Sequence, residues 1–187
     1  MALQPTRRRF TVDEYYRMAK AGILSEDDRV ELIDGEIIQM PPIGPRHAWC
    51  VDRLTELFVR TFSDAAQVRV QNPVRLSQYS EPQPDLALLR RQPKYAAAHP
   101  TPEDILLAVE VSDTSAAFDR RVKAPLYARS GIGELWLVHL SQNTVTVYQD
   151  PTPDGYRAVR TVHRGERLAP LAFPERELAV TDILGEG

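Results

Sequence analysis

Two acids sit in stretches that otherwise read as buried β-strand: Asp85 in "QPDLALLRRQ" and Glu110 in "DILLAVEVSDTS". A carboxylate in such a place is costly unless it is paired or bound to a metal. Side chains alternate along a strand, so Asp85, Ala87 and Leu89 share one face, and Leu106, Ala108, Glu110 and Ser112 share another. If the two strands are neighbours with matching faces, the acids meet at one end of the sheet, beside the small Ala87 and Ala108. Two close carboxylates repel unless one is protonated or a cation lies between them. Hard divalent cations take one or two carboxylates and fill the rest of their shell with water and phosphate oxygens. The pattern therefore points to a metal site.

Other residues stand out by type. Lysine occurs only as Lys20, Lys94 and Lys123, among many arginines. Glu31 interrupts the apolar run Val30, Leu32, Ile33, while Asp34 and Glu36 flank the turn that follows and are weaker candidates. His47 opens a helical stretch, where it could contact substrate or shuttle a proton. Each has an ordinary alternative. Asp85 could cap a strand start after Pro84, Glu110 and Glu31 could face solvent, and Lys123 follows Asp119 at the spacing of a helical ion pair. Tyr127, Trp49 and Trp136 read as packing residues, and Arg7 to Arg9 as a solvated arm. His99, His139 and His163 lack zinc-ligand spacing.

The elements that must position these residues can be read in order. Thr11 and Glu14 form a capping box for a helix from Thr11 to Ala21, ended by Gly22. "RVELIDGEIIQM" reads as a hairpin about Asp34-Gly35, the strongest two-residue turn signal. Val51, Leu54, Leu57, Phe58 and Phe62 recur at helical period within 47–62. "QVRVQNPVRLS" predicts strand broken at Asn72-Pro73. The two acid-bearing strands span about 85–89 and 105–111, joined by a polar loop with one helical turn. A helix is predicted over 117–130, with Pro125 expected to kink it. "ELWLVHLSQNTVTVYQD" reads as a second hairpin, "GYRAVRTVHRGERL" as further strand, and 181–184 as a short terminal turn or helix. This order predicts α/β (α+β) architecture: a mixed β-sheet flanked by helices, with an N-terminal helix and β-hairpin.

With 187 residues, the chain suits a single domain over 1–187. A formal net charge of −3 excludes a generally basic, DNA-coating protein, though not a local basic groove. The lone Cys50 allows neither an intrachain disulfide nor a Cys-rich zinc site. No apolar run reaches transmembrane length, so the expectation is a cytoplasmic protein without a membrane partner.

"PDLALL", then "EVSDTS", a lysine on the next helix and "YARSGIGELWLV" after it resemble the PD-(D/E)XK nuclease superfamily, and more closely the Uma family of restriction-type endonucleases. "VELIDGEIIQMPPIGPRHAW" resembles that family's N-terminal motif. The resemblance runs roughly from Phe10 to Tyr148 and rests on the ordered set, not on any one motif. It implies a restriction-endonuclease-like core and a metal-dependent endonuclease acting on DNA. Asp85, Glu110 and the backbone carbonyl of Val111 would hold Mg²⁺ or Mn²⁺. Lys123 would orient or activate the attacking water, Glu31 would assist, and His47 would contact substrate. The superfamily lysine normally lies two residues after the second acid; Ser112 stands there, so the role passes to Lys123 on the following helix. Arginine could not replace it as a proton acceptor. A homodimer is expected insofar as cutting a duplex often needs two opposed sites. The alternatives are a catalytically inactive nuclease-fold module that binds nucleic acid or regulates a partner, and hydrolysis of a small phosphate ester.

Overall fold

The computed structural model describes residues 7–25, 27–113 and 115–185. Helix α1 (Val12–Lys20) starts at the Thr11–Glu14 capping box, with both reciprocal hydrogen bonds formed. Strands β1 (Val30–Ile33) and β2 (Glu36–Gln39) pair antiparallel about Asp34 and Gly35. Both turn residues have positive φ, 53° and 79°, as the twist of a two-residue hairpin demands. A Cβ at Gly35 would lie 2.6 Å from the Cβ of Arg9, so the position is closed to larger residues on steric grounds as well. The hairpin docks on the segment before the next strands: the Glu81 N–H donates to Leu32 O at 2.8 Å.

Helix α2 (Pro45–Phe62) begins two residues before the predicted start, with Pro45 in its first turn, where a missing N–H costs nothing. Six strands follow in a sheet of order β3 (Gln67–Val70), β4 (Leu86–Leu89), β5 (Ile105–Ser112), β6 (Glu134–His139), β7 (Thr144–Thr152) and β8 (Gly155–His163). β3 ends where expected, at Val70, followed by Gln71 at φ 47° just before Asn72-Pro73. All neighbours are antiparallel except β5 and β6. A parallel pair needs a crossover, and the helical segment 116–129 supplies it. Two short strands, β9 (Arg167–Leu168) and β10 (Leu178–Ala179), pair with each other and lead into helix α5 (Val180–Leu184).

Alternation along the strands divides the core in two. Leu86, Leu88, Leu107, Val109, Val111, Trp136 and Val138 face α2, where Leu54, Phe58 and Phe62 are fully buried. Ala87, Leu89, Ala108, Leu135 and Leu137 face the crossover helix, with Leu126 and Tyr127. Each large apolar side chain so buried contributes roughly 1.5–3 kcal/mol. Trp136 is a packing residue as expected, edge-on to Phe58. Trp49 is not: it is 46% exposed.

Candidate active site

Ala87 pairs with Ala108 and Leu86 with Val109. β4 and β5 are thus neighbours in the register that brings Asp85, just before β4, alongside the end of β5. Glu110 shares the Ala108 face and points at the crossover helix. There, Lys123 lies 3.1 Å from Glu110 Oε1 and 3.2 Å from Oε2, and the Tyr127 hydroxyl donates to Oε1 at 2.7 Å. Lys123 also reaches Glu31 Oε1 at 3.2 Å. Glu31 arrives from β1 and is fixed by the Gln83 N–H, which donates to the same oxygen at 2.8 Å. Glu31, Glu110 and Lys123 are 2%, 3% and 2% exposed. The ordinary alternatives therefore fail for all three: none faces solvent, and Lys123 pairs with Glu31 and Glu110, not with Asp119.

The crossover helix is not simply kinked at Pro125. It runs as α3 (Ala116–Phe118), a wide π-type turn over Asp119–Lys123, and α4 (Ala124–Arg129). In a regular helix the Pro125 ring would press on the Arg121 carbonyl and offer it no N–H. The wider turn relieves that conflict. It also leaves Asp119 and Lys123 both buried and both lining one cleft.

Asp85 is 9% exposed. Its Oδ2 accepts from the Val111 N–H at 2.8 Å and contacts His47 Nε2 at 3.0 Å, and its Oδ1 accepts from Gln71 Nε2 at 3.2 Å. Burial works to raise its carboxyl pKa, but the hydrogen bond and charge of His47, with the Val111 N–H, outweigh burial and hold it below the ordinary 3.8. His47 is raised above 6.5, chiefly by the hydrogen bond to Asp85, against the opposing effect of burial. Around Glu110 the balance differs. Burial would lower Lys123, yet Glu110, Glu31, Asp119 and Asp85 together raise it and keep it an ammonium. Burial pushes Glu110 well up despite Lys123, with Asp85, Asp119 and Glu31 adding to the push. Asp119, held by Ser115 Oγ at 2.5 Å, is likewise raised by burial.

These groups line or underlie a cleft of about 250 Å³ at the end of β5, rimmed by the exposed Arg29, Pro41 and Pro42. Asp85, Glu110, Asp119 and Glu31 set four carboxyl groups against Lys123 and His47, and a cation bound among them would favour their ionised forms. Among the described residues no three His, Cys, Asp or Glu side chains form a ready-made metal cage. The donor set nonetheless suits a hard cation that keeps most of its water and takes few protein oxygens. The N–H and C=O of one strand residue point to the same side. The Val111 carbonyl therefore faces the side on which its N–H meets Asp85, beyond the start of β4. Asp85, Glu110 and Val111 so present hard oxygens to one cleft.

Sequence reasoning underrated Tyr127, read as core ahead of chemistry, and Asp119, weighed only as an ion-pair partner. It also passed over Gln71. The spacing of Asp119, Lys123 and Tyr127 was a usable signal, since each is four residues from the next on one helical face.

A mixed sheet with one acid just before β4, another near the end of its neighbour β5 and a lysine on the crossover helix is a restriction-endonuclease-like nuclease fold. The family model of Uma2, described as "Putative restriction endonuclease", matches residues 12–181, and the chain belongs to that family. A solved structure described as a putative nuclease belonging to DUF820, from Anabaena variabilis ATCC 29413, matches with a TM-score of 0.72. The match covers 94% of this chain and 97% of that one at 16% identity, a likeness of fold. No curated protein matches the chain.

Proposed function

We propose that this protein is a divalent-metal-dependent endodeoxyribonuclease whose active site is the cleft at the end of β5. The observation that carries it is the convergence of Asp85, Glu110 and Lys123, from separate parts of the chain, on one open cleft, with Glu31 paired to Lys123 behind it. Asp85, Glu110 and the Val111 carbonyl would hold Mg²⁺ or Mn²⁺, which when bound would acidify a water and stabilise charge on the scissile phosphate. Val111 and Gln71 keep the Asp85 carboxylate turned toward the cleft, and Tyr127 does the same for Glu110. Lys123, kept protonated by its acids, acts as a hydrogen-bond donor that orients water or phosphate oxygen and not as a base. His47, whose charged form Asp85 favours, and the rim arginine Arg29 give the DNA backbone positive partners. The open rim favours a polymer over a small phosphate ester.

The test is cleavage of plasmid DNA in Mg²⁺ or Mn²⁺ by wild type, Asp85→Ala and Glu110→Gln. The wild type should cut, and each variant should lose at least about a hundredfold in rate, the order lost with a charge-stabilising group. DNA binding without cleavage by the wild type in either metal would favour a catalytically inactive binding module instead.

A further inference from the structure

Both oxygens of Glu110 are already engaged, by the Lys123 ammonium at 3.1 and 3.2 Å and by the Tyr127 hydroxyl at 2.7 Å. A dication bound to those oxygens would share them with an ammonium only 2% exposed, where like charges repel more strongly than in water. Among the described residues the ammonium pairs directly with one further acid. Glu31 Oε1 lies 3.2 Å from it, and Glu31 Oε2 is buried with no hydrogen-bond partner among the described residues. Glu31 itself cannot readily follow a departing lysine, because Gln83 N–H and the docked hairpin hold it. Tyr127 stays on Glu110 whichever cation is present, which keeps the carboxylate oriented during an exchange.

We propose that Lys123 is the resident counter-ion of Glu110, that a divalent cation binds by displacing it, and that Glu31 retains the displaced ammonium. The proposal rests on the metal-dependent function above. It makes Glu31 a positioning residue acting through Lys123, not a metal ligand, and it makes metal affinity a competition between two cations for one carboxylate.

The experiment is calorimetric titration of Mn²⁺, without DNA, into wild type, Lys123→Met, Glu31→Gln and the double variant, each checked for folding by circular dichroism. Lys123→Met should bind Mn²⁺ at least about tenfold more tightly than wild type, since the competing cation is gone. Glu31→Gln should bind more weakly than wild type, and the double variant should match Lys123→Met within about threefold, the pattern of a residue that acts through its neighbour. Lys123→Met binding no tighter than wild type overturns the proposal while leaving the metal site standing. A double variant far weaker than Lys123→Met makes Glu31 a ligand and also overturns it. Absence of Mn²⁺ binding in every protein overturns the metal-dependent function, and the exchange with it.

A second measurement needs no variant that could misfold. The chain has three lysines, Lys20, Lys94 and Lys123, so a ¹³C-lysine-labelled wild type gives a spectrum simple to assign. Saturating Mg²⁺ should move the Lys123 Cε signal and leave Lys20 and Lys94 in place. An unmoved Lys123 signal at calorimetric saturation sinks the exchange.

Discussion

The His47–Asp85 pair ties the cleft to pH. The folded pKa of His47 is raised above 6.5 by Asp85, so its contribution to stability is fully present below that value and is lost as pH rises through the raised one. Asp85 is lowered below 3.8, chiefly by His47 against the effect of burial. Its contribution is present above 3.8 and is lost as pH falls through the lowered value. The pair is therefore worth most in the mildly acidic range between the two. Urea unfolding of wild type and His47→Gln should show a stability gap at pH 6 that narrows clearly by pH 9. A gap of constant size would mean that His47 packs without ionising. The same residue-level logic limits Lys123 to donating: a lysine whose charged form is favoured by two contacting acids is a poor proton acceptor at neutral pH.

At the level of elements, the β1–β2 hairpin matters because it carries Glu31 to a lysine 92 positions further along the chain. Its turn depends on Gly35, with φ 79° and the Arg9 Cβ in the space a side chain would need. Gly35→Ala should destabilise the protein by about 1–2 kcal/mol through the left-handed backbone alone, with the Arg9 contact adding to this. Hydrogen exchange should quicken first in the hairpin and then around Lys123. Protection unchanged at Leu32 and Ile33 would show that the hairpin tolerates a different turn. The wide turn at Asp119–Lys123 is the second such device. Pro125 excludes the regular helix, and the geometry that results keeps an acid and a lysine on one wall of the cleft.

At the scale of the whole molecule, the net charge of −3 means that the proposed DNA binding would fall to a few local arginines. Arg29 lines the cleft, and Arg46, on the first turn of α2, pairs with Asp113 at its edge. Two phosphate contacts correspond to a salt slope of roughly −2 in a double-logarithmic plot of affinity. Fluorescence anisotropy with a DNA duplex in Ca²⁺ should show that the Arg29→Ala/Arg46→Ala double variant loses most of that slope. Its Mn²⁺ affinity should stay as in the wild type. An unchanged slope would place the DNA on another face.

How much of this was legible in the sequence depends on the range of the interaction. The capping box at Thr11, the Asp34-Gly35 turn, the break before Pro73 and the alternation that sets Glu110 apart from Val109 and Val111 are local, written in neighbouring residues. The chain by itself determined these, along with the mixed α/β architecture and the family, because periodicity and turn chemistry act over a few positions. Pro125 was visible as a disturbance, but a proline does not say whether a helix kinks or widens. That outcome depends on what Lys123 and Tyr127 gain by packing against β5. Tyr127 read as core because burial and hydrogen bonding to Glu110 look alike in one dimension. Only the tertiary structure decided that Glu31, Glu110 and Lys123 share one buried charge network, that Asp85 is held by His47 and the Val111 N–H, and that Trp49 is left exposed. These are contacts between segments far apart in the chain, and their energies are set by distance and burial, which no local pattern encodes.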